Sequence, residues 1–353
     1  MSDHTHIEWC DATWNPITGC SVVSAGCKHC YAMRLAGTRL RHHPSRAGLT
    51  RPTSAGPVWT GQVRFNEDWL DQPLRWKKPR RIFVCAHGDL FHESVPDEWI
   101  DRVFAVMALA PQHTFQVLTK RPRRMLDWFR RNPYKHILRQ VDAVRDSRPN
   151  LIGIGVSDPN IIPWRQVWIG VSVEDQATAD ERIPRLLQTP AAVRFVSAEP
   201  LLGPVRLPFA RIGEWNSLAR EHGQEHAATA LDWIIAGGES GPGARPAHPD
   251  WFRSLRDQCR AADVPFFFKQ WGEWAPVGPL YSNDDTDEHM AALDTDPDER
   301  GRDYWITRSG VGWRPQFDGQ PPPGCFAMRR AGKRAAGRLL DGRVWDQSPR
   351  SAL

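Results

Sequence analysis

The chain has 353 residues, 41% of them hydrophobic and 25% charged, with a net charge of +5. That is the ordinary make-up of a globular protein, with room for one large α/β domain or two smaller ones. No apolar run is long enough to span a bilayer, and the first residues, Met1-Ser2-Asp3-His4, lack the basic and apolar regions of a secretory signal.

The predicted elements alternate. Thr13–Asn15 reads as a short strand feeding a loop that holds Cys20, Cys27 and Cys30, and Tyr31 to Leu40 has helical composition. His42 to Pro57 reads as an exposed loop. Val63–Phe65 follows as a strand and Glu67–Trp76 as a helix. Strand Arg81–Ala86 precedes helix Pro96–Ala110, strand Thr114–Thr119 precedes helix Pro122–Arg131, and strand Val167–Val173 precedes helix Gln176–Leu187. Strands Val193–Ala198 and Trp233–Ala236, helix Pro249–Ala262 and strand Pro265–Lys269 complete the series. Short apolar strands alternating with helices predict a buried parallel sheet, and about eight such units predict a (β/α) barrel, full or partial, with an open doubly wound sheet as the alternative. This barrel is expected to occupy residues 1–275.

Segments at about 140–165, 208–230 and 276–322 read as insertions. The last contains Asp284–Glu299, with eight carboxylates and no Lys or Arg. Glu299 and Trp305 stand where a calcium-binding EF-hand loop needs glycine and glutamate, so it reads as a solvated acidic loop. Residues 323–353 are expected to form a basic helix and tail packed on the barrel. Met328, Ala331, Ala335, Leu339 and Leu340 fall on one helical face. Seven Lys/Arg against two Asp in this tail account for the whole net charge. Such a tail suits either a solvated face or phosphate.

Seven cysteines, odd in number and scattered apart from the Cys20–Cys30 group, do not make a disulfide framework, so a reducing cytoplasm is expected. The Cys-x6-Cys-x2-Cys loop is a ligand set. Three thiolates suit a cubane iron–sulfur cluster with one open iron. A fourth ligand from Cys10, His29 or Cys85 would instead close a structural zinc site, and the protein would then be a non-catalytic nucleic-acid-binding protein.

In a parallel barrel the chemistry sits where strands end. Those ends carry Asp89, Lys120, Ser172 with Glu174, Ser197 with Glu199, Gly237-Gly238-Glu239, and Lys269. The Gly237–Gly241 run does not match a dinucleotide fingerprint, and no Walker sequence is present.

The chain carries Thr13-Trp14-Asn15-Pro16, Gly26-Cys27 with Cys30-Tyr31-Ala32, Gly88-Asp89-Leu90-Phe91-His92-Glu93, Thr119-Lys120-Arg121-Pro122, Ser197-Ala198-Glu199-Pro200, Gly237-Gly238-Glu239-Ser240-Gly241 and Phe268-Lys269-Gln270-Trp271. This joint set of motifs resembles the bacteriophage gp-thirty-seven/gp-sixty-eight family. The resemblance implies a radical S-adenosylmethionine-type enzyme acting on a nucleobase, nucleic acid or related metabolite and served by an electron donor. Cys20, Cys27 and Cys30 would hold a [4Fe-4S] cluster whose open iron chelates S-adenosylmethionine. The usual first gap in that superfamily is Cys-x3-Cys, shorter than here. Its Gly-Gly-Glu-type element follows the second strand. This points to Asp89 for the cofactor ammonium, with Ser172, Glu199, Gly237, Gly238 and Glu239 left for other cofactor contacts and Lys120 and Glu199 as catalytic candidates.

Overall fold

The computed structural model describes residues 5, 7–147, 164–209, 231–279, 303–310, 312–313 and 325–349. Its centre is a seven-stranded, all-parallel sheet: β1 (Ala12–Trp14), β2 (Arg81–Val84), β3 (Thr114–Thr119), β4 (Val167–Ser172), β5 (Val193–Ala198), β6 (Trp233–Gly237) and β7 (Phe266–Gln270), in spatial order identical to chain order. Helices α1 (Tyr31–Gly37), α2 (Asp97–Leu109), α3 (Pro122–Arg130), α4 (Tyr134–Ser147), α5 (Gln176–Leu187) and α6 (Pro249–Ala261) lie in the crossovers.

Side chains sort by a period of two, as a pleated strand requires. Ile82, Val84, Phe115, Val117, Ile169, Val171, Val196, Ile234 and Phe268 join the large core between sheet and helices. Their neighbours Phe83, Leu118, Trp168, Phe195, Trp233, Ile235 and Phe267 form a second cluster on the opposite face, with Trp9 and Cys10. That face curls. In a flat sheet β1 and β6, five steps of about 4.8 Å apart, would stand about 24 Å from each other. Trp9, just before β1, has its ring 6.3 Å from that of Trp233 on β6 and 4.8 Å from that of Phe83 on β2. Only a curved sheet brings β2 and β6 onto one indole, so the architecture is a partial (β/α) barrel with an aromatic floor. Many of the seventeen tryptophans serve as packing; Trp9, Trp14, Trp128 and Trp233 are among the largest fully buried side chains.

Three expectations are corrected. Val63–Phe65 is not a barrel strand: Arg64–Phe65 pairs antiparallel with Ile17–Thr18 in a separate two-stranded sheet. The stretch Glu67–Trp76 is two short helices, Glu67–Leu70 and Gln72–Arg75, that meet at Asp71. The tail is not a long basic helix either. Cys325–Arg330 is a strand of a four-stranded antiparallel sheet with Trp274–Pro279, Asp303–Thr307 and Gly312–Trp313, and only Lys333–Ala336 is helical. Gly332 and Gly337 flank that single turn at φ of 82° and 70°, which a continuing helix cannot adopt. Beyond it the chain runs along β7: Phe268 N–H donates to Trp345 O at 2.8 Å, and Phe267 bridges Asp346. The tail thus covers the open edge of the barrel. The acidic loop Asp284–Glu299 lies outside the described residues, as do most of the other insertions.

Candidate functional site

The inward-facing series changes character along the strands. Its amino-terminal members are aromatic; continued by twos past the carboxyl ends, it becomes Lys120, Ser172 and Glu174, Ser197 and Glu199, Glu239, and Lys269. These residues, excepting Glu174, line one cavity of about 850 Å³ together with Cys20, Cys27 and Cys30. Glu174 lies fully buried behind the loop, against Ser24 and Gly26.

Their charges are paired. Arg121 Nη1 meets Asp89 at 3.0 Å, Lys269 Nζ meets Glu199 at 2.9 Å and Arg245 Nη2 meets Glu239 at 2.6 Å. Glu174 takes both Lys120 Nζ and Arg182 Nη1. Burial opposes charge on Lys269, but the Glu199 carboxylate outweighs it and raises the ammonium's pKa. Burial likewise opposes charge on Arg121, and Asp89, Cys20 and Glu93 raise its pKa beyond the usual arginine range.

Asp89 is saturated. One oxygen accepts from Phe91 N–H at 3.0 Å and Thr119 Oγ1 at 2.7 Å, the other from Lys120 N–H at 3.1 Å and Arg121 Nη1 at 3.0 Å. It ties the end of β2 to the end of β3 and fixes where Lys120 and Arg121 point. Among the mouth's ion-paired carboxylates Glu199 keeps the most accessible side chain after Glu93, 15% against 7% for Asp89, 5% for Glu239 and none for Glu174. Gly237 and Gly238 make room for structure: a Cβ on Gly237 would stand 2.7 Å from Glu199 Oε1, and one on Gly238 would stand 1.9 Å from Trp271 O.

The strand ends clamp the cysteine loop. Arg121 Nη2 donates to Ser21 Oγ at 2.7 Å, and its Nη1 lies 3.5 Å from Cys20 Sγ. Ser24 Oγ donates to Glu174 Oε1 at 2.9 Å, Arg245 donates to Ala25 O at 3.0 Å, and Gly26 is pressed so closely on Glu174 that a Cβ would come within 2.5 Å of it. His29 packs against Gly243, beyond β6.

All three loop cysteines are free thiols on the cavity wall. Burial pushes Cys20 up to about 12 and raises Cys30. The Arg121 guanidinium beside Cys20 and the Lys120 ammonium near Cys30 pull in the opposite direction. Cys10 is not with them but in the aromatic floor. Among the described residues no three His, Cys, Asp or Glu side chains are arranged to hold a single metal ion. Three thiols facing one cavity match the number of cysteine ligands of a cubane cluster with one open iron.

Sequence reasoning missed Arg182 and Arg46. Arg182 lies in the middle of α5. Arg46 is 3% exposed although it belongs to the stretch expected to be solvated. No local pattern marks either one.

The fold and site define a partial (β/α)-barrel protein with a three-thiol loop at the mouth. The chain belongs to a family described as a protein of unknown function (DUF5131), whose model matches residues 4–349. No curated protein matches the sequence. Among solved structures it is similar to a cysteine-to-serine mutant of spore photoproduct lyase (TM-score 0.33, 12% identity, 90% of this chain and 68% of that one). It is also similar to spore photoproduct lyase complexed with dinucleoside spore photoproduct (TM-score 0.29, 12% identity, 89% and 67%). No helix among the described residues is long and apolar enough to cross a membrane.

Proposed function

We propose that this protein is a radical S-adenosylmethionine-type enzyme in which Cys20, Cys27 and Cys30 hold a [4Fe-4S] cluster, as the resemblance of its motifs to the bacteriophage family implies. The observation that carries this reading is the placement of three free thiols, clamped by strand-end charges, on the wall of a cavity of about 850 Å³ at the carboxyl end of a parallel sheet. Val63–Phe65 lies outside the barrel, so Gly88-Asp89 follows the second barrel strand, where the superfamily has its Gly-Gly-Glu-type element.

When bound, such a cluster supplies the electron that cleaves the sulfonium carbon–sulfur bond of S-adenosylmethionine. The chain's own residues do the rest. Arg121 directs a guanidinium N–H at Cys20 Sγ, which favours the thiolate. Asp89, to which the resemblance gives the cofactor ammonium, has both oxygens taken, so here it holds Arg121 and Lys120 in register and leaves a ligand ammonium to Glu199. Glu199, steadied by Lys269 and by Ser197 Oγ at 3.2 Å, presents the more accessible carboxylate to a ligand ammonium or hydroxyl. Ser172 and Glu239 complete the wall, and the aromatic floor keeps bulk water from entering below. The substrate is a nucleobase, nucleic acid or related metabolite.

The test is anaerobic purification followed by reduction with S-adenosylmethionine present. Brown protein with about four irons per chain and release of 5′-deoxyadenosine, lost in Cys27→Ala, is the expected result. Colourless protein with one zinc would overturn the reading in favour of a zinc-bearing nucleic-acid-binding protein.

A further inference from the structure

Lys120, Arg121, Lys269 and Arg245 at the mouth pair with carboxylates, whereas the buried Arg46 has no ion pair among the described residues. Arg46 lies in the segment between α1 and β2 and lines the same cavity. It is 3% exposed, yet the charged groups acting on it are another cation, Arg64, and Tyr31. Its hydrogen bonds go to neutral groups: Nη1 donates to Ser45 Oγ at 2.6 Å and Nη2 to His87 Nδ1 at 2.7 Å. Its Nε has no hydrogen-bond partner among the described residues. Burying a guanidinium without a counterion is costly, and folded proteins rarely leave one so.

His87 adds a second donor. Its Nδ1 accepts from Arg46, so in the neutral ring the proton sits on Nε2. Burial, reinforced by Arg46, holds its pKa down at about 4, which keeps the ring neutral at pH 7. The Ser45 hydroxyl, accepting from Arg46, donates its own proton to His43 Nδ1 at 2.7 Å. Arg46, Ser45 and His43 therefore form a fixed relay around one positive charge. Arg64 is anchored to Ala47 O at 2.8 Å and holds a second positive charge close by. The lining carboxylates Asp89, Glu199 and Glu239 are each engaged with other cations. Arg46 at the wall, with the field of Arg64 behind it and no acid beside it, favours a dianion over a carboxylate. Aromatic surface lies alongside: Trp59, Trp69 and His43 line this end of the cavity, and Arg46 sits over the Trp69 ring at 5.7 Å from its centroid.

We infer that Arg46 and His87 form a phosphate-binding subsite that seats the phosphate of a nucleotide substrate, with the neighbouring rings facing its base. The nucleotide identity rests on the function proposed above; the phosphate site itself rests on the uncompensated Arg46.

The full-length protein is titrated calorimetrically with a nucleoside, its 5′-monophosphate, inorganic phosphate and S-adenosylmethionine at constant ionic strength. The monophosphate is expected to bind about tenfold more tightly than the nucleoside or better. Arg46→Met should abolish that preference and leave nucleoside affinity unchanged, and Arg46→Lys should retain part of it. Inorganic phosphate should raise the melting temperature of the wild type and not of Arg46→Met. In phosphate-free buffer Arg46→Met should melt no lower than the wild type; a large drop would show that the charge is already compensated and would overturn the subsite. Equal binding of nucleoside and monophosphate would also overturn it. So would an Arg46→Met variant that loses S-adenosylmethionine binding but keeps the phosphate preference, because the cation would then serve the cofactor carboxylate. None of these measurements needs iron. A zinc-bearing protein that still prefers the monophosphate would defeat the cluster reading alone.

Discussion

Asp89→Asn tests whether the mouth is built around saturated carboxylates. The substitution keeps shape but places an amide NH2 against donors, since all four groups around the carboxylate donate to it. The Arg121 pair it breaks is buried, with side chains 3% and 7% exposed. Removing one partner of such a pair costs about 3–5 kcal/mol. At about 2 °C per kcal/mol for a chain of this size, the melting temperature should fall by about 6–10 °C. Arg121 also holds Ser21 and reaches Cys20, so the cysteine loop should loosen with it, and Cys20 should react faster with a thiol reagent in metal-free protein. Arg121→Gln should cost a similar amount, and the double variant should lose clearly less than the sum, because both remove the same interaction. A variant melting within about 2 °C of the wild type, or strict additivity, would refute the assignment of Asp89 as the tie between β2 and β3.

Glu199→Gln should behave differently: a loss of about 1–2 kcal/mol for a partly exposed pair, against a drop of about tenfold or more in S-adenosylmethionine affinity, measured by calorimetry; unchanged affinity would remove Glu199 from the cofactor site. Gly238→Ala would drive a Cβ into the Trp271 carbonyl, a backbone atom that cannot swing aside, and should cost about 3 kcal/mol by overpacking; an unaltered melting curve would contradict that close approach. His87 has its pKa depressed to about 4 by burial and by Arg46. The unfolded chain protonates this ring near pH 6.5, so its contribution is complete above that pH and is lost as the pH falls toward 4. The total is up to about 3 kcal/mol. Urea unfolding at pH 7.5 and pH 5 should show the loss, and His87→Gln should shrink the difference between the two.

What the sequence by itself determined were the features written in local periodicity. The boundaries of β3, β5 and α5 agree with the alternation of apolar residues, and a period of two carried past each strand end names the residues that line the mouth. The thiol loop is equally legible, because its ligands lie within eleven consecutive residues. Only the tertiary structure decided the rest. Val63–Phe65 has strand composition, but its partner is Ile17–Thr18 rather than the barrel. The tail has a helical stripe, yet pairing Cys325–Arg330 with Trp274–Pro279 buries Phe326 and Met328 and overrides it. Which acid meets which base is likewise not a local property: Arg121 reaches Cys20 across 101 positions of chain. Arg46, in a stretch composed like a solvated loop, is buried only because the segment folds back over the cavity. Local pattern sets which way a side chain faces; closure of the sheet and the packing of distant segments set what it faces.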